Sequence, residues 1–492
     1  MSKGSPLDVQ LFINGEFTPA ASGNQFAVVS PIDDTEYARV ATAGPEDIDR
    51  ATQAAHRAFC GSWPRILPFD RGRVLQEIAN GIRLRSEEIA TAETMSGGKT
   101  ISNSLNEVSA AARVFEYYAG AMDKFFGTTI PMGAEFMDFT IREPVGVVAQ
   151  ITPWNFPFLA AAWKVAPALA AGCTVILKPA SNTPVTSLLL AEVAHDVNLP
   201  PGVLNILPGP GAALGRHIAT HPLINKIAFT GEGSTGAALV KAAADDIKRV
   251  TLELGGKSPN IIFADANLEK AGKAAVSAAF GNAGQSCSAR TRILVERSVH
   301  DKILDLMIAE LQEFQIGNPL EARTDMGPMV SKSQWNTVRD YISIGVAEGA
   351  TLSYGGDRPA GLRSGHYLEP TVFTDVHNSM RIAREEIFGP VAALIPFETE
   401  SDAIAIANDS PFGLNASVWT RDVNRALRIV RDLETGMVSV NSHGSASRYS
   451  TFTPFGGMKK SGIGRELGMQ ALELYTELKN VIIDISDTTE AN

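Results

Sequence analysis

The sequence predicts an α/β fold: two consecutive parallel-sheet units with a small β element set apart from both. Three observations predict it. Between Cys173 and Glu253, the apolar runs "CTVILK", "GVLNIL", "NKIAFTG" and "RVTLELGG" alternate with helical stretches. From Ser258 to about Ser450, a second series carries "NIIFAD", "TRILVE", "AALIPF" and "GMVSVN". Around "FGTTIPMGAEFMDFTIREP", Met137, Phe139 and Ile141 alternate with Asp138, Thr140 and Arg142. Apolar strands spaced by helices are buried on both faces, as in parallel sheets. Strict alternation marks a hairpin with one face to bury.

Taken in order, the first clear helix opens at Pro45 in "PEDIDRATQAAHRAF". Proline holds the first helical position, acids fill the first turn, and Ile48, Ala51, Ala55 and Phe59 recur at helical spacing. The run "FPFLAAAWKVAPALAAGCTVIL", Phe156 to Leu177, has the length of a membrane span. Pro157, Lys164, Pro167 and Gly172 break it and its end is β-branched, so a buried helix followed by a buried strand is predicted. Thr183 and Pro184 open the next helix, and Gly-rich turns separate the later strands from theirs. Right-handed crossovers place the carboxyl ends of these strands along one edge, where ligands bind. The boundary between the units falls near the glycines of "LGGKSPN". "KNVIIDI" is a short strand with no obvious place in either sheet, and the hairpin's apolar face is a candidate for pairing with another subunit.

Composition narrows the function. The 492 residues are 45% apolar and 20% charged, which fits a soluble globular chain of two to four domains at about 100–200 residues each. Forty-three basic against 54 acidic residues give a formal charge of −11, which argues against nucleic acid or an anionic membrane as partner. The start "MSKGSPLDVQLFINGEF" lacks a signal-peptide core. Cys60, Cys173 and Cys287 are widely spaced and odd in number, without the pairs of a disulfide framework or a structural zinc site. No metal is expected, and a reducing cytoplasm is the expected compartment.

Four stretches carry candidate chemistry. In "GNAGQSCSAR", Cys287 is either a small buried hydrophobe, as Cys60 and Cys173 are expected to be, or a nucleophile. Gly281, Gly284, Ser286 and Ser288 leave it unshielded, and if it opens a helix-like turn, backbone N–H groups would lower its pKa and hold an oxyanion. In "LELGGKSPN", Glu253 ends a predicted buried strand and is either a strand-end or capping carboxylate or a functional one. In "ITPWNFP", Trp154 and Asn155 lie in a proline-bracketed loop, where Asn155 either caps the following helix or donates to an oxyanion. In "FTGEGSTG", Gly231 and Gly236 flank a strand-to-helix turn suited to a pyrophosphate.

With "PWNFP", "KPA", "FTG", "LELGGKSPNII", "GQSC", "EEIFGPV" and "PFGGMKKSGIGRELG" in this order, the chain resembles the aldehyde dehydrogenase superfamily over nearly its whole length. The resemblance implies a Rossmann-type cofactor domain in residues 8–123 and 145–254, an α/β catalytic domain in 255–456, and an oligomerisation element in 124–144 and 473–488. It implies a homodimer or homotetramer, NAD or NADP as cofactor, and a small-molecule aldehyde as substrate. By resemblance, Cys287 is the nucleophile, Asn155 the oxyanion donor, Glu253 the general base and Lys164 part of a proton relay. Trp154, Lys178, Ser181, Gly231, Ser234, Gly236, Glu386 and Phe388 fall at cofactor positions, with Lys178 and Glu386 on a ribose and Phe388 beside the nicotinamide. The implied reaction forms a thiohemiacetal on Cys287, expels hydride to the nicotinamide, and leaves a thioester that Glu253-activated water hydrolyses.

Two positions depart from the common pattern. Ser181 stands where many members carry a glutamate that binds the ribose hydroxyls and would repel a 2′-phosphate, so NADP becomes admissible beside NAD. Glu232 puts an acid where a hydroxyl often touches the pyrophosphate; either it turns outward or cofactor affinity is modest. Phe156, Trp163 and Phe455 resemble aromatic positions of the access channel, with core packing as the alternative, and Ala160 suggests room there. Arg448, near His443 and Tyr449, either anchors a substrate carboxylate or is solvated. Three rivals stand beside this reaction. In a CoA-acylating enzyme, CoA would replace water; a cysteine hydrolase would need a paired histidine; a non-catalytic protein of the same fold would have little reason to keep Cys287, Glu253 and Asn155 together.

Overall fold

The apolar runs assemble into two large sheets. The structure, a computed structural model, describes residues 6–442 and 451–486. In the first sheet, five parallel strands lie in the order Arg249–Glu253, Lys226–Thr230, Val147–Ile151, Thr174–Lys178 and Leu204–Ile206. Every residue of Val147–Ile151 and Thr174–Lys178 is buried, as strands covered on both faces require. Leu11–Ile13 and Glu16–Thr18 extend one edge and Gly462–Ile463 closes the other, all antiparallel. Leu7–Val9, Gln25–Val29 and Glu36–Ala41 form a separate three-stranded sheet.

The chain crosses from Val147–Ile151 outward to Leu204–Ile206, then returns to build the other half from Lys226–Thr230. Strand order therefore reverses between Val147–Ile151 and Lys226–Thr230, which opens a crevice at their carboxyl ends. The helix Pro157–Ala171 that follows the first of these strands is almost wholly buried, with Phe158 and Leu169 at 0% exposure, each worth about 1.5–3 kcal/mol of burial. Pro167 sits inside this helix without ending it; Gly172, at φ 92°, does. No helix among the described residues is long and apolar enough to cross a membrane.

The second sheet runs Thr351–Tyr354, Thr371–Thr374, Val391–Phe397, Arg292–Glu296, Pro259–Ile262, Asn415–Trp419 and Met437–Val440, parallel except at its first pair. The segments leading into Pro259, Arg292 and Val391 form its amino edge. They meet the carboxyl edge of the first sheet: Gly256 N–H donates to Glu386 Oε1 at 3.0 Å, and Asn155 Nδ2 donates to the Gln285 carbonyl at 3.1 Å.

"KNVIIDI" joins neither large sheet, as expected. Thr476–Asp484 pairs antiparallel with Phe136–Pro144 through nine residue pairs, and Thr129–Ile130 completes a three-stranded sheet. The alternating face expected to be buried stays open: Met137 and Ile141 are exposed, and the buried residue of the strand is Asp138. Nothing else in the chain's described residues covers those side chains, so the apolar face looks outward.

Candidate active site

The turn before Cys287 is built against the ordinary preference of L-residues. Asn282 (φ 54°, ψ 38°), Ala283 (φ 53°, ψ 37°) and Gly284 (φ 68°) are consecutive left-handed residues, a conformation costing roughly 1–2 kcal/mol at each non-glycine position. Packing holds it. A side chain on Gly284 would lie 2.1 Å from the Gly389 carbonyl, and one on Gly256 would lie 2.6 Å from the Cys287 carbonyl, so both glycines let backbones touch. Gln285, buried behind the turn, donates through Nε2 to the Asn282 carbonyl at 3.1 Å and accepts the Val330 N–H at 2.9 Å.

Cys287 does not open a helix; it lies in a turn between the left-handed segment and the strand Arg292–Glu296. Its thiol is pushed up to about 12, mainly by burial, with the Glu386 and Glu253 carboxylates adding to it; the N–H groups of Ser288 and Cys287 pull the other way and lose. The expected lowering fails because burial outweighs the two backbone donors that act on the sulfur.

Asn155 is not a helix cap. The helix beginning at Pro157 has no side-chain cap, and Asn155, 5% exposed, reaches across to the Gln285 carbonyl instead. With Cys287, Glu253, Phe156, Trp163 and Phe455 it lines a cavity of about 500 Å³. Trp163 and Phe455 pack with tilted rings, 4.9 Å between centroids, and the Lys99 ammonium lies 4.8 Å from the Phe156 ring centre. Ala160 also faces this cavity.

Glu253 is buried, and its Oε2 has no hydrogen-bond partner among the described residues. Burial pushes its carboxyl well above the usual range; Glu466 adds to the rise, while Lys164 and Arg465 oppose it. Lys164, 1% exposed, pairs with the Glu466 carboxylate. Gln150 Nε2 donates to the Lys164 carbonyl at 2.7 Å, which fixes the backbone of that helix turn. Glu253, Lys164 and Glu466 therefore form one buried group of charges beside the cavity.

On the other side of the turn lie the residues expected to hold a dinucleotide. Lys178 is buried, its ammonium donates to the Pro179 carbonyl at 2.9 Å, and burial lowers its pKa to about 8. Ser181 Oγ donates to the Gly209 carbonyl at 2.9 Å. Burial raises the Glu386 carboxyl to about 7, even though the Gly256 N–H holds it. Phe388, at φ 56°, meets Trp154 edge to face at 5.1 Å. A side chain on Gly231 would strike the Phe229 ring at 2.6 Å, and one on Gly236 the Leu254 side chain at 2.9 Å, so both glycines let this turn close onto the sheet. The helix Gly233–Ala243 starts there, its amino end at the strand-order reversal, where a pyrophosphate fits. Glu232 is the discordant group: it is exposed, stands at the cap position without capping, and accepts the Ser234 hydroxyl at 2.7 Å.

The structure thus brings Cys287, Asn155, Glu253 and Lys164 together around one cavity or just behind its lining, and Trp154, Lys178, Ser181, Gly231, Ser234, Gly236, Glu386 and Phe388 along the adjoining crevice. Arg448, with His443 and Tyr449, lies outside the described residues. Glu466, Asn282 and Arg290 were not singled out from the sequence, yet all three line the cavity. Glu466 sits inside "GIGRELG", but its partner Lys164 is 302 residues away, a separation that no local pattern bridges.

Comparison with known proteins agrees with this geometry. Residues 17–481 match the profile described as the Aldehyde dehydrogenase family. Retinal dehydrogenase 2 of Homo sapiens is 44% identical over 481 residues, covering 97% of this chain and 92% of that protein. Betaine aldehyde dehydrogenase of Bacillus subtilis (strain 168) is 41% identical over 475 residues, 96% of each. The NAD+ complex of an aldehyde dehydrogenase from Bacillus cereus superposes with a TM-score of 0.95 at 42% identity over 97% of both chains. Two parallel sheets meeting edge to edge over a thiol-lined cavity place the molecule among the oxidoreductases of this architecture. The chain belongs to the aldehyde dehydrogenase family, and its reaction is the oxidation of an aldehyde.

Proposed function

We propose that Cys287 is the nucleophile of an NAD(P)-dependent, hydrolytic aldehyde dehydrogenase. The observation that carries this reading is the convergence of Cys287, Asn155 and Glu253 on one cavity, beside a crevice whose residues suit a dinucleotide. As the thiolate, its proton released to water, Cys287 Sγ adds to the aldehyde carbon; the oxyanion is held by Asn155 and the Cys287 N–H, and its collapse expels hydride and leaves a thioester on Cys287. An amide nitrogen carries two hydrogens; Asn155 uses one on the Gln285 carbonyl and keeps the second for the cavity. Glu253 then takes a proton from water, which attacks the thioester and frees the acid. Burial raises the proton affinity of Glu253, and Glu466 and Lys164 adjust it in opposite directions.

Bound in the crevice, NAD or NADP would supply the hydride acceptor. Lys178, Ser181 and Glu386 would hold its riboses, the Gly231–Gly236 turn with Ser234 its pyrophosphate, and Trp154 and Phe388 its nicotinamide end. Ser181 carries no charge that would repel a 2′-phosphate, which supports use of both cofactors. Phe156, Trp163 and Phe455 form the inner, apolar part of the substrate channel. The relatives are named for retinal and for betaine aldehyde, one apolar and one cationic, so their names do not transfer a substrate. The outward-facing apolar sheet of Phe136–Pro144 and Thr476–Asp484 supports a homodimer or homotetramer, and the free cysteines suit a reducing cytoplasm.

A panel of aldehydes with NAD and with NADP, followed at 340 nm with product analysis in the presence and absence of CoA, tests the proposal. Reduction of both cofactors with release of the free acid is expected. Absence of turnover across the panel, or strict dependence on CoA, would overturn it.

A further inference from the structure

The geometry points to Asn282 as a positioning residue that aims Asn155 at the reacting carbonyl. The inference rests on the proposed role of Asn155 as oxyanion donor. Asn282 Nδ2 donates to the Asn155 carbonyl at 3.3 Å and to the Gln285 carbonyl at 3.2 Å. Both partners are carbonyl oxygens, so the amide orientation is set by chemistry: the nitrogen faces them, and both of its hydrogens are spent. The Gln285 carbonyl in turn accepts Asn155 Nδ2 at 3.1 Å. One oxygen, two residues before the nucleophile, thus receives both amides, and Asn282 ties that oxygen to the backbone of the very residue whose side chain it receives. The loop after Val147–Ile151 and the turn before Cys287 come from different sheets. Asn282 is a side chain that bridges them at the reacting end.

The backbone of Asn282 fits this work. At φ 54° it occupies the left-handed region, where asparagine is among the better tolerated residues, and the buried contacts of Gln285 brace the turn from behind. Two hydrogen bonds from one rigid amide hold the Asn155 loop in register with Cys287. Without them the loop loses its backbone tie to the turn and keeps the Asn155 side-chain bond to Gln285, and a displacement of about 1 Å costs on the order of 100-fold in rate. Asn282 itself need not touch the substrate.

Acylation by 4-nitrophenyl acetate reads this directly, because thiol attack on an activated ester draws on the same oxyanion donors and requires no cofactor. Asn282→Gly keeps the left-handed backbone at no steric cost and deletes the amide, so it is the primary variant; Asn282→Asp keeps the size and turns two attractions into repulsions. We expect Asn282→Gly to slow the 4-nitrophenolate burst about 10- to 100-fold, with Asn282→Asp slower still. Alkylation of Cys287 by iodoacetamide, which needs no oxyanion donor, should change less than two-fold. In an Asn155→Ala background the same substitution should add almost nothing, since its effect passes through Asn155. Equal losses in both backgrounds, or a parallel fall in alkylation, would show a structural role and overturn the inference. If Asn155→Ala slows the burst while Asn282→Gly does not, the inference fails and Asn155 keeps its role. If Asn155→Ala itself changes nothing, both fall together.

Discussion

The two walls of the cavity are made of different material. The wall from the first sheet carries charge: Glu253, with the Lys164–Glu466 pair behind it, all buried. The wall from the second sheet is mostly uncharged, with Arg290 its charged lining residue: a left-handed turn, Asn282 to Gly284, held by amide-to-carbonyl bonds and leading into Cys287. Asn155 projects from the first wall but bonds to the second. The contrast teaches a division of labour. Proton chemistry is stored where buried charges shift one another's pKa, and geometry is stored where backbone packing leaves no slack. Substitutions on the first wall should therefore move pH profiles, and those on the second should move rates at every pH.

The sharpest break is at the meeting of the walls. Cys287→Ser should lower turnover on the order of 10⁴-fold or more, measured by steady-state NADH formation, with cofactor binding by fluorescence retained. Next, Glu253→Gln should slow release of the acid about 10²- to 10⁴-fold. A pre-steady-state burst of NADH approaching one per active site should remain in quenched-flow experiments. Loss of the burst along with turnover would mean that Glu253 serves the thiol and not the water.

Smaller effects test the charged wall alone. Glu253 must be ionised to act as a base, and burial holds its pKa well above the usual carboxylate range. The acid limb of the hydrolysis step should accordingly lie well above the pH at which an exposed glutamate titrates, with the rate rising as pH rises through it. Glu466→Gln removes a neighbouring negative charge, so that limb should move to lower pH; Lys164→Met removes a positive one, so it should move to higher pH. Opposite shifts in the pH–rate profiles are the expected outcome, and shifts in the same direction would break the electrostatic account. The free enzyme's thiol, pushed up to about 12, should be alkylated by iodoacetamide at a rate that keeps rising above pH 9 without a plateau. The smallest effect belongs to the crevice: Glu232→Ser puts a residue able to cap at the helix amino end and removes an acid from it, so KM for NAD should fall about two- to five-fold.

Legibility in the sequence followed the same division. The buried strands were visible as apolar runs, because a strand covered on both faces needs nothing but apolar residues; Val147–Ile151 and Thr174–Lys178 are of this kind. Cys287, Glu253 and Asn155 were visible as small-residue or strand-end motifs. Partnerships were not. Alternation in Phe136–Pro144 says that the strand pairs, but its partner Thr476–Asp484 is more than 300 residues away; the family resemblance grouped the two segments, whereas the pattern alone would have accepted any strand of matching length. The same holds for Lys164 with Glu466 and for the edge strand Gly462–Ile463. The direction of the Cys287 shift was also hidden: spacing shows that small residues surround the thiol, whereas its pKa depends on how deeply the second sheet's amino edge is buried against the first. Asn282 was overlooked because its left-handed backbone and its bonds to two loops leave no trace in composition.

On the proposed mechanism one thiol, that of Cys287, carries the acyl group between the two walls. Glu253→Gln enzyme, mixed with NAD and the best aldehyde of the panel, quenched in acid after one turnover and digested, tests it by mass spectrometry of the peptide containing Cys287. A substrate-derived acyl group on Cys287, absent when NAD is omitted and lost on treatment with hydroxylamine, is the predicted result. A full equivalent of NADH with an unmodified Cys287 peptide would contradict it.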